Sequence, residues 1–323
     1  MISQTPTLAA AKLQLQSFEM FPNPQQETHM THIRRRSTSS APASISSFEA
    51  RTLLSGNVSA SLSAAGVLTI TGDRSNNSIH IEAVGANIVV SEQNRGKVNG
   101  KNDIAFNAAD VKGILISCQA GNDIITVNRV SLDGNLTIHL DSGNDQATVS
   151  NTTVRGALSV VGDAGNDAIN VYSSQIAGDS LLSGGIGDDN IRISYLSQGN
   201  VNVLGGAGND KVNIVFGSFD QNVSIDTGAG DDDVSSTASN YTGLVNVDTG
   251  AGADRVTAET NTFSGDVSIK TGAGQDKIDV FGNLFISAVI LDGGSGKDTL
   301  RTDDINDFTL VPSILNVEIK TLL

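Results

Sequence analysis

From Gln119 to Leu300 apolar and polar residues alternate in short runs, and the whole pattern returns at a fixed interval. The first run of each repeat appears in Ile169/Val171, Ile191/Ile193, Val212/Ile214 and Ile278/Val280. The second appears in Leu136/Ile138, Val223/Ile225, Val245/Val247, Val267/Ile269 and Val289/Leu291. Between them a lone apolar residue recurs as Val154, Ile176, Phe219, Tyr241, Phe263 and Phe285. Alternation with a period of two predicts strands, not helices. A glycine-rich turn closed by an aspartate separates successive repeats, as in Gly205-Gly206-Ala207-Gly208-Asn209-Asp210. The closing residues are Asp123, Asp145, Asp167, Asp189, Asp210, Asp232, Asp254, Asp276 and Asp298, spaced by 22 residues seven times and by 21 once.

A fixed period of this size signals an array in which each repeat buries its apolar face only by stacking on its neighbours. Two short strands per repeat suit one coil of a parallel β-helix. The fold class expected is therefore all-β, a single-stranded parallel β-helix of about 22 residues per coil. Crossover connections between parallel strands are almost always right-handed, so a right-handed coil is expected. Nine coils at the usual strand spacing make a rod on the order of 45 Å long. The five prolines, Pro6, Pro22, Pro24, Pro42 and Pro312, leave residues 43–311 free of a residue that interrupts a strand ladder.

The pattern divides the chain into four parts. Residues 118–302 hold the regular repeats, and 58–117 hold looser alternation, with Asn77 where an aspartate belongs. That region, including Val89-Val90, Ile104 and Ile114-Leu115-Ile116, reads as irregular opening coils plus an N-terminal cap. Residues 303–323 break the repeat and read as a C-terminal cap, because an open end of a solenoid exposes core and unpaired edges. Residues 1–57 lack alternation, are rich in Ser, Thr, Gln and Pro, and read as a disordered or processed segment. Within it Arg34-Arg35-Arg36, a Ser/Ala-rich spacer and Phe48-Glu49-Ala50-Arg51-Thr52-Leu53-Leu54-Ser55 resemble the N-terminal motif of the planctomycete extracellular protein family. That resemblance spans about 25 residues and implies a secreted or cell-surface location. Met30, just before the basic cluster, is a second candidate start.

Composition narrows the function. The formal net charge is −15, which disfavours nucleic acid and anionic lipid and favours cations. No apolar run approaches the length of a membrane span, so no membrane insertion is expected. The single cysteine, Cys118, excludes an internal disulfide and reads as a small, partly buried hydrophobe.

Stacked turns place nine carboxylates in one row about 4.8 Å apart, where neighbouring charges repel by about 1 kcal/mol even in water. Two offsets are open. Each aspartate accepts backbone N–H groups of its own turn, or Ca²⁺ lies between successive turns. The turns beginning at Gly184, Gly205 and Gly293 match Gly-Gly-x-Gly-x-Asp in full, and those at Thr227, Thr249 and Thr271 replace the first glycine. They resemble the hemolysin-type calcium-binding repeat, and the resemblance implies that the nine aspartates, Asp123 to Asp298, are the metal candidates. The repeat here is 22 residues against nine in that family, so at most one edge carries such turns. Acids beside the motif, such as Asp188 and Asp231, favour calcium in the middle and later turns, whereas Asn122, Asn144 and Asn166 disfavour it in the early ones.

An enzyme is disfavoured. Glycoside hydrolysis needs two carboxylates in unlike surroundings, and a repeated ladder gives every member the same ones. The outward Arg192, Arg255, Arg301, Lys211 and Lys277 read as a solvated face, and His139 as structural. No catalytic residue is assigned. The expectation is an exported rod with a structural or surface-layer role, by self-association, or alternatively an adhesion module for surface polysaccharide. Tyr172, Tyr195, Tyr241, Phe216 and Phe281 are the aromatic candidates for the latter.

Overall fold

The computed structural model describes residues 57–94 and 96–321. The segment expected to be disordered, with the basic cluster and the Phe48–Ser55 motif, lies outside them except for Asn57, which opens the first strand, Asn57–Leu62.

Stacked parallel coils of about 22 residues form an all-β solenoid of about nine turns. The second runs of the repeat register directly on one another, Val223 on Val245, Val245 on Val267 and Val267 on Val289. They build a 13-stranded sheet, and the first runs with the bend strands build a 20-stranded one. The apolar inward members of both runs are buried from Ile125 to Leu300, and each side chain so buried contributes about 1.5–3 kcal/mol.

The lone bend residues are buried as expected and continue one another. The rings of Phe219, Tyr241, Phe263, Phe285 and Phe308 stack with centroids 4.8–5.1 Å apart, which is the coil spacing itself. Tyr195 meets Phe219 edge-on at 5.9 Å.

The opening region holds a coil and an antiparallel addition to it. Strands Val67–Thr71 and Ser78–Val84 do form a coil, parallel to Gly113–Ser117 and Ile124–Asn128. Residues 85–112 are not a further coil. Strand Asn87–Glu92 folds back antiparallel on Ser78–Val84, and Asp103–Asn107 pairs antiparallel with it in turn. Asn57–Leu62 likewise runs antiparallel to Val67–Thr71. This reversal takes up the strand edges that a parallel ladder would leave open. At the other end Asp307–Phe308, Ser313–Leu315 and Glu318–Thr321 stay parallel to the coil beneath, so the C-terminal cap is a last, partial coil.

The 21-residue spacing also has a structural trace. Tyr172 registers with Ser194 and Gln175 with Leu196, so Ser173 and Ser174 stand opposite Tyr195 alone. Tyr195 fills the bend from inside and is buried.

Candidate functional site

The glycine two residues before each aspartate sets the turn. In eight of the nine turns its φ lies between +120° and +152°, a region nearly closed to other residues. A Cβ on Gly208 would also collide with the carbonyl of Gly187 one coil below. The position four before the aspartate is left-handed too, filled by Gly185, Gly206, Gly228, Gly250, Gly272 and Gly294 and, in the early coils, by Gln119, Asp141 and Asp163.

These turns bring all nine aspartates into one row, and every one is at least 96% buried. Each carboxylate from Asp145 to Asp298 accepts a hydrogen bond from the backbone N–H of the aspartate one coil earlier. Asp123 N–H donates to Asp145 Oδ1 at 2.6 Å, Asp145 to Asp167 at 2.8 Å and Asp167 to Asp189 at 2.7 Å. The ladder crosses the short coil unbroken, Asp189 to Asp210 at 2.9 Å, and runs on to Asp276 donating to Asp298 at 3.0 Å. At its start Asn77 N–H donates to Asp123 at 2.6 Å. The sequence reading of a bond within the carboxylate's own turn is therefore corrected. The acceptor reaches across the coil boundary because the stacked turns bring the N–H of one directly over the side chain of the next.

The neighbouring residue forms a second ladder in the opposite sense. Asn144 N–H donates to Asn122 Oδ1, Asn166 to Asn144, Asp188 to Asn166, Asn209 to Asp188, Asp231 to Asn209 and Ala253 to Asp231, at 2.7–3.1 Å. Asn and Asp are interchangeable here, since both present one Oδ1 acceptor. Asn122, Asn144 and Asn166 in the early turns and Asp188 and Asp231 in the later ones therefore share one ladder. A third, buried ladder occupies the other bend, where Ser239 N–H donates to Asn261, Asn261 to Asn283 and Asn283 to Asn306, each at 2.9 Å. Its sequence signal was a polar residue two places before the lone apolar one, as in Asn261 before Phe263 and Asn283 before Phe285.

The ladder uses one oxygen of each inner aspartate. Oδ2 is buried without a hydrogen-bond donor in Asp123, Asp145, Asp167, Asp189, Asp210, Asp232, Asp276 and Asp298. Loss of water therefore dominates their titration. It pushes the carboxyls of Asp123 and Asp210 up to about 7 and those of Asp145 and Asp189 up to about 6, against the donated N–H and with a smaller upward push from neighbouring carboxylates. Asp167, Asp232, Asp254 and Asp276 shift upward for the same reason.

The residue five before the aspartate faces Oδ2, but a threonine there donates to it only at Thr249, since Thr227 and Thr271 donate to the carbonyls of Thr249 and Gly293 instead. In the later coils it is threonine, and Thr249 Oγ1 lies 2.9 Å from Asp254 Oδ2 and 3.2 Å from the carbonyl oxygen of Thr271. In the middle coils it is Gly162, Gly184 or Gly205, and no hydroxyl is present. Asp210 Oδ2 lies 2.5 Å, and the Thr227 carbonyl oxygen 2.9 Å, from the point where a Cβ on Gly205 would stand. Asp167 Oδ2 and the Gly184 carbonyl converge in the same way beside Gly162. Hard oxygens without a donor fit a small hard cation at these levels, whereas at Thr249 the hydroxyl already takes the place. Among the described residues no three His, Cys, Asp or Glu side chains converge on one point.

Other sequence candidates fall elsewhere. Tyr195 and Tyr241 are buried, so they leave the list of exposed aromatics, whereas Tyr172 is 44% and Phe216 74% exposed. Cys118 is fully buried, and burial pushes its thiol upward. Arg255 and Arg301 are not merely solvated. Arg255 Nη2 lies 2.7 Å and Arg301 Nε 3.7 Å from the carboxylate of Asp279, which is fully buried.

Comparison with protein-family models, with curated proteins and with solved structures finds no match.

Proposed function

We propose that the chain is a secreted or cell-surface, non-catalytic β-solenoid with a structural or surface-layer role, its turn row serving as a calcium-responsive brace. The observation that carries this reading is the continuity of the aspartate ladder from Asp123 to Asp298. A structure repeated without a set-apart acid and base is suited to bearing load along its length, and an acid–base site needs carboxylates in unlike surroundings. The N-terminal motif supports export through its resemblance to planctomycete extracellular proteins, and the glycine turns support calcium through theirs to hemolysin-type repeats.

In this reading Asp167, Asp189 and Asp210 hold calcium together with turn carbonyls, those of Gly184 and Thr227 among them. Bound there, the ion supplies positive charge to carboxylate oxygens that otherwise lack a partner. With one carboxylate per coil the affinity expected is that of extracellular modules, about 10⁻⁴–10⁻³ M. Electron microscopy of the purified full chain in millimolar calcium and in EDTA tests the role. Ordered end-to-end or lateral assemblies in calcium support it, and dispersed particles in both conditions count against it.

An adhesion module for surface polysaccharide is the second reading. It is favoured by the register shift inside the regular coils, beside Tyr172.

A further inference from the structure

The coil that is one residue short also interrupts the surface. Along the row of residues five after each aspartate, Ser194 stands between Tyr172 and Val215. Opposite the bulge formed by Ser173 and Ser174, the side chain of Tyr195 is buried in the core instead of covering the exterior. The result is a notch of about 300 Å³, walled by Tyr172 and Val215 with Ser194 between them. One strand position away, Arg192 lies in register between Asn170 and Asn213 and lines the same notch. The next residue beyond the Val215 wall is Phe216, 74% exposed and held at φ 55°.

Exposing the Phe216 ring forgoes burial, whereas its left-handed backbone belongs to the repeat, shared at the same place by Arg129, Asn151, Ser173, Ala238 and Thr260. Arg255 and Arg301 flank a buried carboxylate and Lys211 lies 3.3 Å from Asp233, but among the described residues Arg192 has no carboxylate within ion-pair distance. None of the residues that line the notch is acidic.

We propose that this notch binds a uronate-bearing polysaccharide, one sugar ring lying against Tyr172 and its carboxylate paired with Arg192. The inference rests on the adhesion reading and names its ligand. Guanidinium matches a carboxylate with two parallel N–H donors, and the Asn170 and Asn213 amides supply both donors and acceptors for sugar hydroxyls. The span from Tyr172 to Val215 crosses two strand spacings, about 10 Å, and the volume sits at the small end of ligand sites.

The test is calorimetric titration of the full chain with tetragalacturonate and with neutral maltotetraose. Saturable binding of the uronate is expected, weakened at least 10-fold by Arg192→Gln and at least 5-fold by Tyr172→Ala, with melting temperatures unchanged because both side chains point outward. Maltotetraose is expected to bind at least 10-fold more weakly. No uronate binding at millimolar concentration, equal binding of the two sugars, or uronate binding unaffected by both substitutions overturns the proposal. Co-sedimentation with insoluble uronate-bearing cell-wall material separates the two readings. If wild type and both variants sediment alike, adhesion stands and the notch is wrong. If wild type stays in solution, adhesion fails with it.

Discussion

The backbone N–H of Asp189 points at the carboxylate of Asp210, 21 residues on, and the 2.9 Å bond joins two coils whose spacing departs from the period. The ladder therefore follows the stacking of turns and not the count of residues. Its acceptor is structural before it is anything else. Asp210→Ala leaves the Asp189 N–H buried without a partner, a loss of about 1–3 kcal/mol. Asp210→Asn keeps the Oδ1 acceptor and removes the buried charge, so it is expected to match wild type at pH 5 and to exceed it at pH 8. Denaturant melts of the three proteins at both pH values check this, and equal losses for Ala and Asn would show that the carboxylate does something the ladder does not explain.

Metal-free protein is expected to be less stable at pH 8 than at pH 5. The carboxyls of Asp123, Asp145, Asp189 and Asp210 titrate at about 6 to 7 in the fold, against an ordinary value of 3.8. The folded chain thus binds more protons than the unfolded one between those limits. Their contribution is complete below about pH 4 and is lost as pH rises through 6 to 7. Scanning calorimetry in EDTA reads the trend directly, and a melting temperature that climbs from pH 5 to pH 8 would contradict it.

Calcium is expected to reverse much of that loss. A ligand bound by the folded form alone stabilises it by mass action, so 10 mM Ca²⁺ at pH 8 should raise the melting temperature and EDTA should lower it. The gain should shrink at pH 5, where protons compete for the same oxygens. Identical curves at pH 8 with and without calcium would leave the backbone N–H ladder as the whole account.

Threonine and glycine coils should respond differently. Thr249→Val removes the hydroxyl that serves both Asp254 and the Thr271 carbonyl at nearly constant volume. A cost of about 1–3 kcal/mol is expected, with a steeper pH dependence than wild type. A neutral outcome would mean that Asp254 needs no donor.

Much of the architecture was legible because a solenoid writes its period into the chain. The glycines two before each aspartate announced left-handed turns, and Phe219, Tyr241, Phe263 and Phe285 announced a filled bend. The pattern said that carboxylates stack, but not which N–H each one meets, since that depends on how the turn tilts against its neighbour. Residues 85–112 alternate like coil strands, and only their antiparallel return onto Ser78–Val84 separates them from the repeat. Tyr195 is buried because a missing residue moves its side chain to the other face, a shift that alternation amplifies. Asn261 and Asn283 passed as polar bend residues, although their spacing matches that of the aspartates.

Turn amides are locked between coils by the aspartate row, and hydrogen exchange resolved to single amides reads that lock. Protection is expected at the amides of Asp123 through Asp276 to the level of the core strands, with Asp210→Ala releasing the Asp189 amide before its neighbours. Exchange of these amides at the rate of exposed turns in the wild-type protein would contradict the claim.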